Sequence, residues 1–333
     1  MLKTSGKISK KFPENSQFRI MNSKNQQLRI WAGLGTLYLV WGSTYLAIRF
    51  VVENVPSMFA SGMRNVLAGT TLLLWAIFSK NFKRPDSKFL WVNAIAGTLM
   101  LAIGNGLLSI AAKWVPSGFS SLFFAISPIL LVIIFWFDGE KPRRNVLIGA
   151  ALGVIGVIIL MSLKNVALKG GEGMFFWGVL LLFIAILGWD LGVFIVKKAN
   201  INNYPTSQIA AAQMIPGGIV TLVVSGLLGE WNHVDLANVP VNAYLWFAYL
   251  YIVGSIVGFS VFSWLSKVAP PTQVATYTYV NPLVALMLGW LLGGEQLNPL
   301  MLVAALFIIS AVILITLRNQ KSTELKSKQI KFE

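Results

Sequence analysis

The sequence predicts an all-α polytopic membrane protein in which ten transmembrane helices form two inverted five-helix repeats. Of the 333 residues, 56% are hydrophobic and only 12% are charged, against roughly 45–50% and about 25% in soluble domains. The chain divides into ten apolar stretches, and landmarks of the first half recur about 154 residues later in the second. The composition thus indicates a lipid environment, and the recurrence indicates a repeat.

Each apolar stretch has a length near the roughly 20 residues that an α-helix needs to cross a bilayer. Most connections between the stretches are short, so consecutive helices must run antiparallel across the membrane. We place the ten spans at about residues 30–52, 57–79, 89–111, 117–137, 144–163, 174–196, 205–229, 242–266, 273–292 and 299–317.

Lysine and arginine residues fix the orientation of these helices, because cytoplasmic loops carry an excess of both. With a cytoplasmic N-terminus, 22 of the 27 basic residues lie in inner segments and only three lie in outer loops. The sequence therefore predicts a multi-pass protein of the plasma or inner membrane with both termini cytoplasmic. The same distribution accounts for the formal net charge of +15, so the lipid bilayer is the expected partner and nucleic acid is not.

The two halves share a spacing of prolines in one apolar segment each. Pro116 and Pro128 lie twelve residues apart in the first half, as do Pro270 and Pro282 in the second, and both segments run on to a Gly-Glu pair. Because five spans is an odd number, the second copy enters the membrane from the opposite face. Inverted repeats with interrupted helices are typical of secondary transporters, whose substrate site lies near the midplane between the repeats.

The repeats leave polar segments at both ends of the chain. Residues 1–28 contain no apolar stretch long enough for a signal peptide, and Met21 is as acceptable a start as Met1. The expected organisation is a disordered cytoplasmic tail at 1–28, a first repeat at 29–165, a second repeat at 172–318 and a basic cytoplasmic tail at 319–333.

Several short motifs follow one another along the spans: Trp41-Gly42-Ser43-Thr44-Tyr45, Arg49, Arg64, Gly104-Asn105-Gly106, Val115-Pro116-Ser117-Gly118 and Tyr277-Thr278-Tyr279-Val280-Asn281-Pro282. Together they resemble EamA-type members of the drug/metabolite transporter superfamily, and the resemblance covers about residues 30–317. It implies a ten-helix, two-repeat carrier, often an exporter of amino acids or related metabolites. The sixth span departs from the pattern, because Asp190 stands where a small or apolar residue is expected.

Two tryptophans lie far from the membrane interface that tryptophan prefers. Trp41 and Trp189 are deep in their spans, at nearly corresponding places of the two repeats. An indole N–H at that depth needs a neighbouring carbonyl or a wet cavity. With polar side chains at similar depth, the predicted substrate cavity comprises Trp41, Ser43, Thr44, Asn105, Trp189, Tyr277, Tyr279 and Asn281.

Local roles compete with a binding role for some of these residues. Thr44 more readily bonds back to its own helix. Asn281 precedes Pro282, so its amide can instead satisfy a carbonyl that the proline leaves free. Asn105 lies between two glycines, which allow a ligand to approach closely, and this favours the cavity.

Three charged residues lie inside the predicted spans. Arg49 is near one end of its helix and one turn from Glu53, which favours a structural role. Arg64 lies roughly 10 Å deep, and it either binds a substrate carboxylate or braces helix ends. Asp190 lies about 10 Å from the inner end of its span. It either reaches a lysine further along its helix, pairs with another span, exchanges protons during transport or contacts a cationic substrate group.

The sequence lacks the motifs of several enzyme classes, and this limits the functions that the protein can have. The chain has no cysteine, no HExxH motif, no acidic metal cluster, no serine–histidine pair and no phosphate loop. We therefore expect no enzyme activity, no cofactor and no metal. The expected function is secondary transport of a small metabolite, an amino acid or related compound, by alternating access with proton coupling and in the export direction. An intramembrane enzyme, a lipid-handling protein and an uptake carrier remain alternatives.

The oligomeric state rests on one pair of small residues. Gly149 and Gly153 lie four residues apart in the fifth span, a spacing that allows close helix contact. Contact within the chain is the default, so we expect a monomer or a weak homodimer.

Overall fold

The computed structural model is helical throughout the part of the chain that it describes, with no strand there. The described residues are 24–80, 82–139, 142, 144–163, 171–201, 203–269, 274, 276–311 and 313–314. Most of the predicted N-terminal tail, the whole predicted C-terminal tail and the linker between the repeats lie outside these residues. Two of the landmarks of the repeat, Glu140 and Pro270, also lie outside them.

The first half contributes five helical stretches. The first begins at Lys24, so it extends several residues into the predicted tail. Extended backbone at Pro56 and Pro116, with ψ of 134° and 149°, precedes the second and fourth and sets their starting points. The stretches are α1 (Lys24–Val52), α2 (Ser57–Phe78), α3 (Ser87–Ala111), α4 (Ser117–Phe137) and α5 (Arg144–Met161).

The second half contributes five further stretches in its described residues. A connection with two short 3₁₀ turns, Glu230–His233 and Leu236–Asn238, joins the second and third of them. The stretches are α6 (Gly171–Ala199), α7 (Thr206–Leu227), α8 (residues 241–268), α9 (Tyr277–Leu291) and α10 (Pro299–Ala311).

Most of these stretches have the length and composition of membrane helices. Six of them, α1, α3, α4, α6, α7 and α8, are long and apolar enough to cross a membrane, and α5, α9 and α10 contain shorter apolar helices of 10–17 residues. α2 has 22 residues, but Arg64 and Asn65 near its middle lower its hydropathy. The chain is thus an all-helical membrane protein, and the count of ten spans stays a prediction.

Helices at equivalent places in the two halves have matching lengths. α1 and α6 each contain 29 residues, and α2 and α7 each contain 22. α3 and α8 each include an eight-residue π-helical segment, Thr98–Asn105 in α3 and Leu250–Val257 in α8. π-helical turns are rare and are frequent at functional sites.

Glycines bring α2, α3 and α7 into close contact. A Cβ atom at Gly97 of α3 would lie 2.0 Å from the carbonyl oxygen of Gln213 in α7, so no other residue fits there. A Cβ atom at Gly62 of α2 would lie 3.0 Å from the carbonyl oxygen of Gly218 in α7. Small residues let membrane helices approach in this way. This contact holds α2 against α7 at Gly62, two residues before Arg64.

The two mid-span prolines of the repeat have different effects on their helices. α4 is interrupted between Phe124 and Ser127, and Pro128 lies in the first turn after the interruption. Pro282 lies inside α9, which remains helical on both sides of it. The predicted interruption is therefore present in α4 and absent from the described part of α9.

The small residues of α5 pack inside the chain. A Cβ atom at Gly153 would lie 2.1 Å from the side chain of Ile129 in α4, and Gly149 is buried. Packing against α4 thus accounts for Gly153 without a second copy of the chain.

Two glutamates bind the N-termini of helices that lie far away in the sequence. Glu295 accepts hydrogen bonds from the backbone N–H groups of Ser117, at 2.7 Å, and Gly118, at 3.0 Å, at the start of α4. Its carboxylate also pairs with Arg49 of α1 at 2.9 Å, and Arg49 Nε lies 3.3 Å from Glu53. We call Arg49, Glu53 and Glu295 the Arg49 cluster.

Glu230 binds the start of α2 in the same manner. It accepts hydrogen bonds from the backbone N–H groups of Met58, at 3.3 Å, and Phe59, at 2.9 Å. Ser225 donates a third hydrogen bond at 2.8 Å. A carboxylate at a helix N-terminus is favoured by the helix dipole and by the unpaired N–H groups there.

Candidate functional site

A cavity of about 90 Å³ lies among α1, α2, α3, α4, α6, α8 and α9, so both halves of the chain line it. Of the predicted site residues whose side chains the structure describes, Ser43 and Asp190 are not among its lining residues. The other seven predicted site residues line it: Trp41, Thr44, Arg64, Asn105, Trp189, Tyr277 and Asn281.

Trp41 lies at the centre of an aromatic group that forms much of the apolar lining. The centroid of its ring is 6.0 Å from that of Trp189, 5.7 Å from that of Phe259 and 5.1 Å from that of Tyr277. The contacts with Trp189 and Tyr277 are edge-to-face, with interplanar angles of 88° and 89°. Such contacts hold the rings in defined orientations, so they present fixed faces to a ligand.

The N–H group of Trp41 has a partner in the protein. Trp41 Nε1 donates a hydrogen bond to the carbonyl oxygen of Gly254, in the π-helical segment of α8, at 3.4 Å. A Cβ atom at Gly258 would lie 2.5 Å from the same nitrogen. The structure thus combines both interpretations of Trp41, because its N–H is satisfied by a carbonyl and its ring lines the cavity.

Ser43 and Thr44 bond back to their own helix. Thr44 Oγ1 donates to the carbonyl oxygen of Trp41 at 2.7 Å, and Ser43 Oγ donates to that of Val40 at 2.8 Å. Ser43 also shares a 2.5 Å hydrogen bond with the hydroxyl of Tyr249, which occupies it away from the cavity. The side chain of Tyr279, a further predicted site residue, lies outside the described part of the chain.

Asn281 lines the cavity and bonds to carbonyl groups of two helices. In the amide orientation that satisfies its neighbours, its nitrogen donates to the carbonyl oxygens of Tyr277, at 3.1 Å, and Tyr38, at 3.3 Å. The first contact lies one turn back, next to the carbonyl that Pro282 cannot bond. Asn281 thereby joins α9 to α1, and its amide does not bond to the Thr278 carbonyl that Pro282 cannot bond.

Arg64 reaches the cavity from α2 and is only 5% exposed. Its Nη2 donates a hydrogen bond to Oδ1 of Asn105 at 3.1 Å. Its Nε is buried and has no hydrogen-bond partner among the described residues. No ion pair in the described part of the chain includes Arg64.

Asp190 is buried beside the cavity with 0% exposure. Its Oδ1 accepts a hydrogen bond from Ser127 Oγ at 2.6 Å, and Ser127 itself lines the cavity. Its Oδ2 has no partner among the described residues. Ser127 lies where α4 resumes after its interruption, so its hydroxyl connects the buried carboxyl group with the cavity.

The lysines further along α6 have other partners. Lys198 forms an ion pair with Asp138, and Lys197 lies 4.0 Å from the ring centre of Phe135. In the described part of the chain, Asp190 therefore has a hydroxyl group as its hydrogen-bond partner and no cation bonded to it.

Ser127 was not among the predicted site residues, although the repeated sequence pattern indicates a polar residue at its position. Ser127-Pro128 and Asn281-Pro282 are equivalent under the offset of about 154 residues, so a polar residue precedes the mid-span proline in both halves. Phe259 was missed because an apolar residue in an apolar span carries no mark of the cavity.

Comparisons with known proteins agree with this architecture. The family model described as the EamA-like transporter family matches residues 30–162 and 176–317. A crystal structure of a protein superposes with a TM-score of 0.62 and 16% identity, over 88% of this chain and 98% of that one. That likeness shows a shared fold.

Relatives of known sequence cover nearly the whole chain. The uncharacterized inner membrane transporter YedA of Escherichia coli K12 is 33% identical over 295 residues, covering 88% of this chain and 92% of that protein. Protein PecM of Dickeya dadantii is 28% identical over 83% of this chain and 88% of its own length. The uncharacterized transporter YvbV of Bacillus subtilis is 24% identical over 89% and 93%. This chain therefore belongs to the EamA-like transporter family.

Proposed function

We propose that this protein is a secondary transporter that exports a small metabolite, an amino acid or a related compound, by alternating access driven by protons. The observation that carries the proposal is the cavity, which Trp41, Asn105, Trp189 and Asn281 line from four different helices of both halves. A site shared by two repeats is accessible from alternate faces when the repeats move against each other.

We further propose that residues 29–165 and 172–318 are inverted repeats of five membrane helices each, in the plasma or inner membrane. The equal lengths of α1 and α6 and of α2 and α7 support this arrangement, as do the paired π-helical segments. Both termini are then cytoplasmic. Reporter tags at residues 1 and 333 should be active only in the cytoplasm, and a reporter in 230–240 only outside. The opposite pattern would remove the proposed topology.

For Asp190 we propose the uptake and release of a proton rather than contact with a cationic group of the substrate. The side chain has 0% exposure and is not part of the cavity lining, so a substrate cannot touch it directly. The Ser127 hydroxyl offers a path for a proton between the cavity and the carboxyl group. An intramembrane acid without a cation partner is a frequent element of proton relays.

The variant Asp190→Asn tests this role because it keeps the shape and removes the titration. Accumulation of substrate against a gradient should collapse, while exchange of substrate across proteoliposome membranes persists and no longer depends on pH. Asp138→Asn is the matched control, since Asp138 pairs with Lys198 away from the cavity, and it should retain gradient-driven accumulation. Accumulation at the parental level by Asp190→Asn would show that the carboxylate is structural.

The direction and the substrate are tested by metabolite profiling of cells and medium, with and without overexpression. An excess of one metabolite in the medium supports export, and its retention in the cells supports uptake instead. If no metabolite changes but lipid composition does, a lipid-handling protein replaces the proposal. A new product that appears only with the protein would indicate an intramembrane enzyme.

We propose a monomer as the working unit, with a weak homodimer through α5 as the alternative. The burial of Gly149 and the packing of Gly153 on Ile129 support the monomer. Mass determination in a detergent micelle by light scattering distinguishes the two.

A further inference from the structure

We infer that the transported metabolite carries a carboxylate, and that Arg64 and Asn105 hold this group in the cavity. The inference rests on the proposed transport function and adds to it the residues that hold the carboxylate of the substrate. It also assigns a specificity role to two residues of the first half.

The Arg64 guanidinium has fewer hydrogen-bond partners in the described structure than it has donors. A guanidinium carries five N–H donors and a permanent charge. In the described part of the chain, one of these donors bonds to Asn105, while Nε is buried without a partner. A buried charge is costly unless an opposite charge or several hydrogen bonds compensate it. A single amide oxygen is a weak partner for it.

No acidic side chain of the described residues lines the cavity beside Arg64. Arg64 is the one charged residue among those that line the cavity in the described part of the chain. Asp190 is bonded to Ser127, and the carboxylates of the Arg49 cluster are bonded to Arg49 and to the start of α4. No carboxylate among the described residues therefore compensates Arg64, and the carboxylate of a bound ligand would supply the missing counter-charge.

Asn105 offers a hydrogen-bond donor next to Arg64. Because its Oδ1 accepts from Arg64, the orientation of the amide is fixed and its NH₂ group remains a donor beside the guanidinium. An arginine fork next to an amide N–H matches the two oxygens of a carboxylate. Glycines flank Asn105 in the sequence, and Gly104 lines the cavity beside it without a side chain of its own.

The charge of the cavity lining favours a carboxylate over a phosphate as the ligand group. A phosphate ester carries nearly two negative charges, and the described lining offers one cation. The rings of Trp41, Trp189 and Phe259 provide apolar faces for the rest of the ligand. The cavity therefore fits a small organic acid with an apolar body, a class that includes the amino acids with apolar side chains.

The experiment measures the binding of matched compounds to the purified full-length protein in detergent, by thermal stabilisation and by competition for transport in proteoliposomes. The compounds are the apolar and aromatic amino acids, their amides, the corresponding amines without the carboxylate, and the corresponding acids without the amino group. At least one acid should bind at least tenfold more tightly than its amide and its amine. Equal binding of all forms, or binding of none of the acids, overturns the inference.

Variants at the two residues distinguish substrate binding from bracing of the fold. Arg64→Gln should weaken binding of the acid at least tenfold and abolish the preference for acid over amide. Asn105→Asp places a protein carboxylate against Arg64, so it should also weaken binding of the acid at least tenfold while leaving the protein at least as thermally stable. Unchanged binding in Asn105→Asp would overturn the inference, because a bracing arginine tolerates an internal partner.

Failure of this inference can be distinguished from failure of the proposed transport function. If metabolite profiling identifies an exported compound without a carboxylate, the transport function stands and this inference fails. If profiling shows no transported compound but the acids bind with the expected preference, the site stands and the transport function fails.

Discussion

Arg49 and Arg64 are both arginines inside helices of the first half, yet their surroundings differ. Arg49 contacts the carboxylates of Glu53 and Glu295 and donates to the carbonyl oxygen of Gly293 at 3.0 Å. Arg64 has one amide oxygen as its partner in the described structure. The protein thus neutralises the half-buried Arg49 with its own acids and leaves the buried Arg64 without an acid in the described structure. Compensated charges hold helices together, and an uncompensated one is available to a ligand.

The largest effect on stability is expected for Glu295→Gln. Both carboxylate oxygens accept from backbone N–H groups, and one also accepts from Arg49. An amide must direct its NH₂ group toward one of these donors and cannot neutralise the arginine. We expect a loss of about 3 kcal/mol in the free energy of unfolding, measured by denaturation in mixed detergent micelles. A loss below about 1 kcal/mol would show that the cluster is not the main brace of α4.

A smaller loss is expected for Arg49→Gln. The Glu295 carboxylate keeps its bonds to the start of α4, so the helix N-terminus remains satisfied, but its charge loses the cation. We expect a loss of about 2 kcal/mol in the free energy of unfolding, less than the roughly 3–5 kcal/mol for a fully buried pair, because the Arg49 side chain is 14% exposed. The measurement is the same denaturation, with Glu53→Gln as the control, because Glu53 is the more exposed acid of the cluster. An equal loss in both variants would mean that the two acids share the arginine evenly.

Glu230→Gln separates helix capping from ion pairing. Glu230 binds the start of α2 as Glu295 binds the start of α4, but no cation is paired with it in the described structure. Its longest contact, 3.3 Å to Met58 N–H, can be lost at small cost. We expect a decrease of about 1 kcal/mol in the free energy of unfolding, typical of a cap. A decrease as large as that of Glu295→Gln would contradict the contribution that we assign to Arg49.

The smallest change in stability is expected for Arg64→Gln, although transport should be lost. The substitution removes an uncompensated buried charge and one hydrogen bond, and these two effects oppose each other. We expect the free energy of unfolding to change by less than about 1 kcal/mol. A decrease of about 2 kcal/mol or more, comparable with Arg49→Gln, would identify Arg64 as a brace of helix ends and remove the contrast between the two arginines.

Distance along each span is the sequence feature that selected residues for the predicted cavity, and their depth in the membrane stays a prediction. Trp41, Asn105, Trp189 and Asn281 were placed at a common depth from the ends of their spans, and all four line one cavity. A helix rises about 1.5 Å per residue, so distance from a loop converts directly to depth. Ser43 was selected by the same distance along its span, but its hydroxyl bonds to Val40 and Tyr249 and does not line the cavity.

The direction of each side chain around its helix was not predictable. A soluble helix shows its buried face through a periodic apolar stripe, but a membrane helix is apolar on all sides. Neither the pairing of Ser127 with Asp190 nor the contact of Phe259 with Trp41 leaves such a mark in the sequence. The pairing of Arg49 with Glu295 joins residues 246 positions apart, so it arises only when α1 and the segment before α10 are packed together.

The sequence by itself determined the membrane setting, the helices and the order of the family motifs, because each depends on local composition and on distance along the chain. The tertiary structure decided which charges are compensated. Whether an arginine in a membrane helix has an acid beside it depends on the rotation and packing of helices that are distant in the sequence. Arg49 meets Glu295 and Arg64 meets only Asn105 in the described structure, and this difference separates the brace from the candidate binding group.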